Sequence, residues 1–139
     1  MDLPFSDEVN YWKTSRTAAD AWVGKSISLL RKLGATDIAE AFGSRNGNAA
    51  FILAFAIDGE SFRIAWPVLP NRKPGEEAAA RVQAATLLYH DCKAKALSAA
   101  ILGPRTAFIG ALLLPGGHTV AEASLPAIAE HVRAVALLN

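Results

Sequence analysis

Cysteine is almost absent from this chain of 139 residues. The single thiol, Cys92, excludes an intrachain disulfide and agrees with a reducing compartment, so we expect a cytoplasmic protein. The first ten residues lack the basic and apolar segments of a secretion signal. Apolar runs such as Phe108 to Leu114 are far shorter than the about 20 residues that a membrane-spanning helix needs. We therefore expect no membrane partner.

Charge is also scarce, at 19% of the residues, whereas 52% are hydrophobic. A chain of this length is expected to fold as a single domain over residues 1–139 around one core. A small protein with so few charges often hides part of its surface in an assembly. We therefore expect a homo-oligomer.

The residue patterns of common catalytic and metal sites are missing. The three histidines occur singly, with no spacing typical of metal ligands, so neither a metal nor a cofactor is expected. His90 lies roughly 200° around a helix from Cys92, which excludes a local dyad and favours a structural thiol. The segment 116–119 precedes a helix and could hold an anion, but a turn with a cap explains it without a ligand. We predict that the protein is not an enzyme.

The clearest positive signal is a β-hairpin over residues 51–67. Two apolar strands flank Asp58-Gly59, the dipeptide that best fits a two-residue type I′ turn. This turn fixes the register and places large side chains opposite one another on one face. The predicted pairs are Phe55 with Phe62, Leu53 with Ile64, and Phe51 with Trp66.

A weaker strand, Asp37 to Gly43, is predicted to join this hairpin through the turn at 44–48. Pairing would set Phe42 beside Phe51 and Ile38 beside Phe55. Glu40 would then lie among apolar side chains, which requires either a β-bulge or a position at the rim. The opposite face of the sheet carries mostly small residues and is either exposed or covered by a partner.

The predicted fold class is α+β, an antiparallel β-meander of three or more strands with helices packed on one face, in the order α-β-β-β-α-α-α. Thr17 is expected to cap the first helix and Gly34 to end it. Thr106 is expected to begin a short helix, and Thr119 with Glu122 to form a capping box. The predicted segments are an N-terminal arm at 1–16, a helix at 17–34, the meander at 36–69, a long helix at 75–102 and C-terminal helices at 106–138.

Basic residues outnumber acidic ones between Ser61 and Arg105, seven to three, although the net charge is only +1. Such a region either binds phosphates or forms a solvated helix face. Proteins that bind single strands combine basic grooves with stacking aromatic rings, for which Tyr11, Trp12 and Tyr89 are candidates. The predicted nucleic-acid-binding residues are Arg45, Arg63, Arg72, Lys73, Lys93 and Lys95.

Three segments resemble a family of small, mostly uncharacterised phage and prophage proteins. They are Leu-Gly-Ala at 33–35, then Arg81 with Leu-Tyr at 88–89 and Lys-Ala-Lys at 93–95, and the stretch from Phe108 through Leu-Leu-Leu-Pro to Glu122. The resemblance covers about residues 17 to 128. The layout of a meander followed by a long helix is also similar to one half of the Whirly-type fold, whose members bind single-stranded DNA as oligomers.

The resemblance implies a phage or prophage origin. With the basic region, it favours a non-enzymatic accessory protein of phage or mobile-element DNA metabolism that binds single-stranded DNA with little sequence preference. The alternative is a protein-interaction module, such as an inhibitor or adaptor of a host complex, that uses the small-residue face of the sheet.

Overall fold

The sheet is a three-stranded antiparallel meander. The computed structural model describes residues 3–45 and 48–124, with β1 at Thr36–Arg45, β2 at Asn48–Ile57 and β3 at Glu60–Pro67. The strand order is β1-β2-β3. The predicted α+β class and meander are confirmed.

The β2–β3 hairpin has the predicted turn and register. Asp58 and Gly59 adopt φ values of 52° and 78°, the left-handed pair that a type I′ turn requires. Phe55 then pairs with Phe62, Leu53 with Ile64 and Phe51 with Trp66. Residues of β2 and β3 alternate between the buried bulky face and the more exposed small-residue face.

The pairing of β1 with β2 is partly as predicted. Phe42 lies opposite Phe51, but the register shifts between Thr36 and Ala39. This bulge contains Ile38, so the expected direct pair of Ile38 with Phe55 does not form. Glu40 is exposed, and β1 therefore has both features, a bulge and a rim position, that could accommodate this carboxylate.

Two long helices, α1 at Ala19–Lys32 and α2 at Glu77–Leu102, cover the bulky face of the sheet. The predicted cap at Thr17 was wrong, because the N-cap is Ala18 and forms no side-chain bond. Thr17 instead donates its backbone N–H to Ser15 Oγ at 3.1 Å. The predicted end of α1 is confirmed: Gly34 has φ 92°, and Gly34 and Ala35 donate to the carbonyls of Arg31 and Leu30.

The segment after α2 differs from the prediction. A short helix, α3, spans Pro104–Ala107 and is followed by a 3₁₀ turn at Ile109–Ala111. It begins before Thr106, because Gly103, with φ 87°, turns the chain and Pro104 fits the first helical position. Leu112 and Leu113 are then extended and form bridges to Phe62 and Thr119. Part of the predicted C-terminal helices is thus a strand-like contact with β3.

Thr119 and Glu122 form the predicted capping contact. The Thr119 hydroxyl accepts the Glu122 backbone N–H at 3.2 Å, and residues 120–124 are helical. The rest of the predicted final helix lies outside the described residues, so the expectation of one domain over the whole chain stays a prediction.

The core lies between the bulky sheet face and the helices. Phe55, Phe62 and Phe108 pack together with ring centroids 5.3 to 6.2 Å apart. Small residues of α2, including Ala84 and Ala85, let the helix approach these rings closely. None of the described helices has both the length and the hydropathy that crossing a membrane would require.

The N-terminal arm packs against α2. Gln83 is fully buried, and its amide nitrogen donates to the carbonyl oxygens of Ser6, Val9 and Asn10 at 2.8 to 3.1 Å. Ser6 also donates its backbone N–H to the Pro70 carbonyl. The arm therefore has a fixed position beside the helices.

Candidate nucleic-acid interface

Arg63 and Lys95 are the predicted site residues that the structure brings together. Both line a cleft of about 310 Å³ beside β3. Each cation has a carboxylate partner there: Arg63 bonds Glu122 at 2.7 Å, and Lys95 bonds Asp91 at 2.8 Å. The hydrogen bond from Arg63 is the largest cause that lowers the pKa of Glu122 to about 2. This cleft is therefore close to neutral and less suited to a phosphate.

Arg72 holds the N-terminal arm. Its guanidinium bonds Asp7 at 2.9 Å and Glu8 at 2.7 Å, and it lies 4.3 Å from the centroid of the Phe5 ring. The hydrogen bond to Asp7 is the main cause that raises the pKa of Arg72. Arg72 thus has a structural explanation that needs no ligand.

The remaining predicted residues are spread over different elements. Lys73 is exposed in the loop before α2, and Lys93 is exposed on α2 itself. Neither forms a salt bridge within the described part of the chain. Arg45 ends β1, and its side chain lies outside the described structure. The five predicted residues whose side chains are described do not form one continuous track on the sheet.

A cluster of aromatic rings lies on the outer side of α1 and α2 instead. Tyr11 of the arm stacks on His90 with ring centroids 4.8 Å apart and planes 7° apart. The centroid of the Trp22 ring, on α1, lies 5.1 Å from that of Tyr89 and 6.1 Å from that of His90. Tyr11 and His90 are exposed, so a flat ring has access to this cluster from solvent.

Lysine side chains border the aromatic cluster. The Lys25 ammonium lies 4.4 Å from the centroid of the Trp22 ring, and Lys32 shares a shallow cleft with Tyr89. Lys93 follows Tyr89 by one helical turn, which places both on the same side of α2. Among the described residues, none of these lysines has a carboxylate partner. We define the aromatic–lysine surface as Tyr11, Trp22, Tyr89, His90, Lys25, Lys32 and Lys93.

Sequence reasoning named only three members of this surface. Tyr11 and Tyr89 were candidate stacking residues, and Lys93 was a candidate phosphate contact. The spacing of apolar residues in α1 places Trp22 on the core side, and its side chain is partly buried against the core. Lys25, Ser28, Leu29 and Lys32 repeat at helical spacing, and this pattern could have indicated a second, solvent-facing stripe.

The described residues contain neither an activated cysteine nor a cluster of metal ligands. Burial is the largest cause that raises the pKa of Cys92 to about 12, so its thiol is a weak nucleophile at neutral pH. No group of three or more potential metal ligands occurs within residues 3–45 and 48–124. At 116–119 the observed contact is the predicted cap, and Glu122 already places a carboxylate there.

Comparison of the chain with family models, with curated proteins and with solved structures gave no match. The resemblance to phage proteins and to the Whirly-type fold therefore stays a prediction.

Proposed function

We propose that the protein binds single-stranded DNA with little sequence preference through the aromatic–lysine surface. The observation that supports this best is the combination of accessible stacked rings with lysines that have no carboxylate partner in the part of the chain that the structure describes. Every base has a π-face, so stacking tolerates any sequence, and lysine contacts to phosphates are equally unspecific.

The location of the surface differs from the sequence-based hypothesis. Arg63 on β3 and Arg72 after it are engaged in ion pairs, whereas Lys25, Lys32 and Lys93 have no carboxylate partner among the described residues. A single DNA strand that crosses α1 and α2 would place its bases against Tyr11 and His90. Its phosphate backbone would then lie beside Lys25, Lys32 and Lys93.

The test is a fluorescence-anisotropy titration with a labelled dT oligonucleotide at two salt concentrations. We expect binding at low salt that weakens steeply as salt is added, because phosphate contacts release counterions. Absence of binding at low salt would contradict the proposal. Binding that does not depend on salt would contradict the role of the lysines.

The proposed role is that of a non-enzymatic accessory protein of phage or mobile-element DNA metabolism, acting in the host cytoplasm. Support for the origin comes from the resemblance in segments 33–35, 81–95 and 108–122. Support for the compartment comes from the single, buried Cys92.

We also propose weak self-association through the small-residue face of the sheet. Ala39, Ala54 and Arg63 lie side by side across the three strands, and Glu122 compensates the arginine. Three strands about 4.8 Å apart, with eight residues at about 3.4 Å each, cover roughly 400 Å² per copy. Two copies would bury less than the about 1,200 Å² of a standard interface, so a weak dimer is expected.

Sedimentation velocity over a concentration series tests the dimer. We expect the sedimentation coefficient to rise with concentration. Ala54→Arg should abolish that rise, because the new arginine of one copy would face the same arginine of the other copy. A coefficient that stays monomeric up to about 100 μM in the unaltered protein would contradict the proposal.

A protein-interaction module is the second candidate function. It is favoured by a different region, the open edge of β1, and does not depend on DNA binding.

A further inference from the structure

The two edges of the sheet are not equivalent. At the β3 edge, the Leu113 backbone N–H donates to the Ser61 carbonyl at 2.8 Å, and Leu112 bridges Phe62. At the opposite edge, the ten residues of β1 have backbone bonds only to β2 within the described residues. Every second residue of β1 therefore presents backbone groups that another strand could pair with.

Two clefts flank Phe42 on the bulky side of this edge. Phe42 is 41% exposed, and the Arg81 guanidinium lies 3.9 Å from the centroid of its ring. One cleft, of about 390 Å³, lies toward Glu40, and the other, of about 310 Å³, lies toward Val68 and Leu69. Phe42 and Arg81 line both clefts and form the wall between them.

The described lining of the larger cleft is acidic overall, whereas that of the smaller cleft is balanced. Asp20 and Glu40 line the larger cleft and Glu77 lines the smaller one, while Arg81 is the only cation among the described side chains that line either cleft. None of the three carboxylates forms a salt bridge within the described residues. A ligand that brings a positive charge would therefore find partners at the larger cleft.

We propose that the β1 edge binds an extended peptide of a partner protein, with a basic side chain over Asp20 and Glu40 and an apolar side chain beside Val68 and Leu69. Side chains on one face of an added strand repeat every second residue. The two anchoring side chains would thus be separated by an even number of positions. Backbone bonds to β1 would supply affinity, and the two clefts would supply specificity.

Glu40 also distinguishes such a peptide from a second copy of this chain. If the β1 edges of two copies paired with each other, the Glu40 carboxylates of both copies would lie at the same interface and repel. The bulge near Asp37 would also disturb the ladder of backbone hydrogen bonds. A Lys or Arg of a peptide would meet the same carboxylate favourably. The edge therefore combines attraction for a basic strand with repulsion of itself.

Selection from a displayed library of random 12-residue peptides tests the proposal. We expect enriched peptides to carry a basic and an apolar residue at even spacing, and one such peptide to shift the backbone amide signals of residues 38–45 in ¹⁵N NMR spectra. Failure to enrich any peptide, enrichment without a basic residue, or shifts confined to other elements would each overturn it.

A charge reversal at Glu40 sharpens the test. Glu40→Lys should weaken the selected peptide at least tenfold and improve binding of the same peptide with its basic residue changed to Glu. The control is Glu60→Lys on β3, the same change on the opposite edge strand, where Glu60 bonds Arg105 at 2.7 Å. With its folding checked by circular dichroism, this variant should leave both affinities within twofold. Equal loss in both variants would show a nonspecific charge effect and overturn the proposal.

Discussion

Six cations of this protein form two groups that differ in their partners. Arg63, Arg72 and Lys95 each lie within 3 Å of a carboxylate. Lys25, Lys32 and Lys93 have no such partner in the described structure and border aromatic rings instead. The first group, which we call the paired cations, stabilises contacts within the fold. The second, the surface lysines, remains available to an external anion, so position in a basic stretch does not by itself indicate binding.

Sequence separation explains why the pairing of Arg63 and Arg72 was not predicted, whereas Lys95 and Asp91 lie one helical turn apart. The carboxylates that bind Arg63 and Arg72 are 59 to 65 residues away along the chain. No local pattern reveals such pairs, because they depend on how the arm and the C-terminal segment dock. The surface lysines depend equally on α1 and α2 lying side by side.

The stacked pair of Tyr11 and His90 is expected to give the larger of two measurable effects. Replacing both by Ala removes a stacking platform, and loss of stacking costs about 1–3 kcal/mol per base. We expect dT affinity to fall about 5- to 150-fold while the salt dependence stays unchanged, as measured by anisotropy. A loss of affinity with a reduced salt slope would instead indicate that the variant had disturbed the lysines.

Trp12→Ala is the matched control for the stacked pair. Trp12 is an aromatic residue of the same arm, but it has no ring contact with Tyr11, Trp22, Tyr89 or His90. Its replacement should leave dT affinity within about twofold. A loss equal to that of the double variant would place the stacking platform elsewhere on the arm.

The Arg63–Glu122 pair is expected to give the smaller effect, and on stability rather than binding. Glu122 has a pKa of about 2, below its ordinary value of 4.5. Its contribution to stability is therefore complete above about pH 4.5 and is lost as the pH falls toward 2. Because the pair is partly exposed, the change should stay within about 1 kcal/mol.

Denaturant unfolding between pH 6 and pH 2.5 measures this change. The difference in unfolding free energy between the unaltered protein and Glu122→Gln should shrink as the pH is lowered. A difference that stays constant across this range would show that the ion pair contributes nothing through its charge.

Much of the fold could be predicted because its determinants are local. Asp58-Gly59 specifies a turn whose geometry fixes the pairing of every residue in β2 and β3, and Gly34 ends α1 by adopting a left-handed conformation. The extended pair Leu112–Leu113 could not be predicted, because its apolar sequence also suits a helix. Its extended conformation depends on distant backbone partners, because Leu113 donates to the Ser61 carbonyl and Leu112 accepts from the Val120 N–H.

The candidate surface was less predictable than the fold. Trp22 follows the helical stripe of the core, yet its indole N–H reaches Ser15 at 3.1 Å and its ring borders the solvent-facing cluster. Periodicity predicts on which side of a helix a residue lies, but it does not show where the buried side meets solvent. Helix packing decides whether a ring at the boundary is covered.

The most direct measurement compares two triple variants with the same change in charge, both checked for folding by circular dichroism. The first variant replaces the surface lysines, Lys25, Lys32 and Lys93, by Ala. The second replaces the paired cations, Arg63, Arg72 and Lys95, by Ala. The salt dependence of dT binding is measured for each variant. Three lost phosphate contacts at about 0.7 each should reduce the slope of log K against log salt by about 2 in the first variant and leave it unchanged in the second. A reduced slope in the second variant alone would contradict binding through the surface lysines.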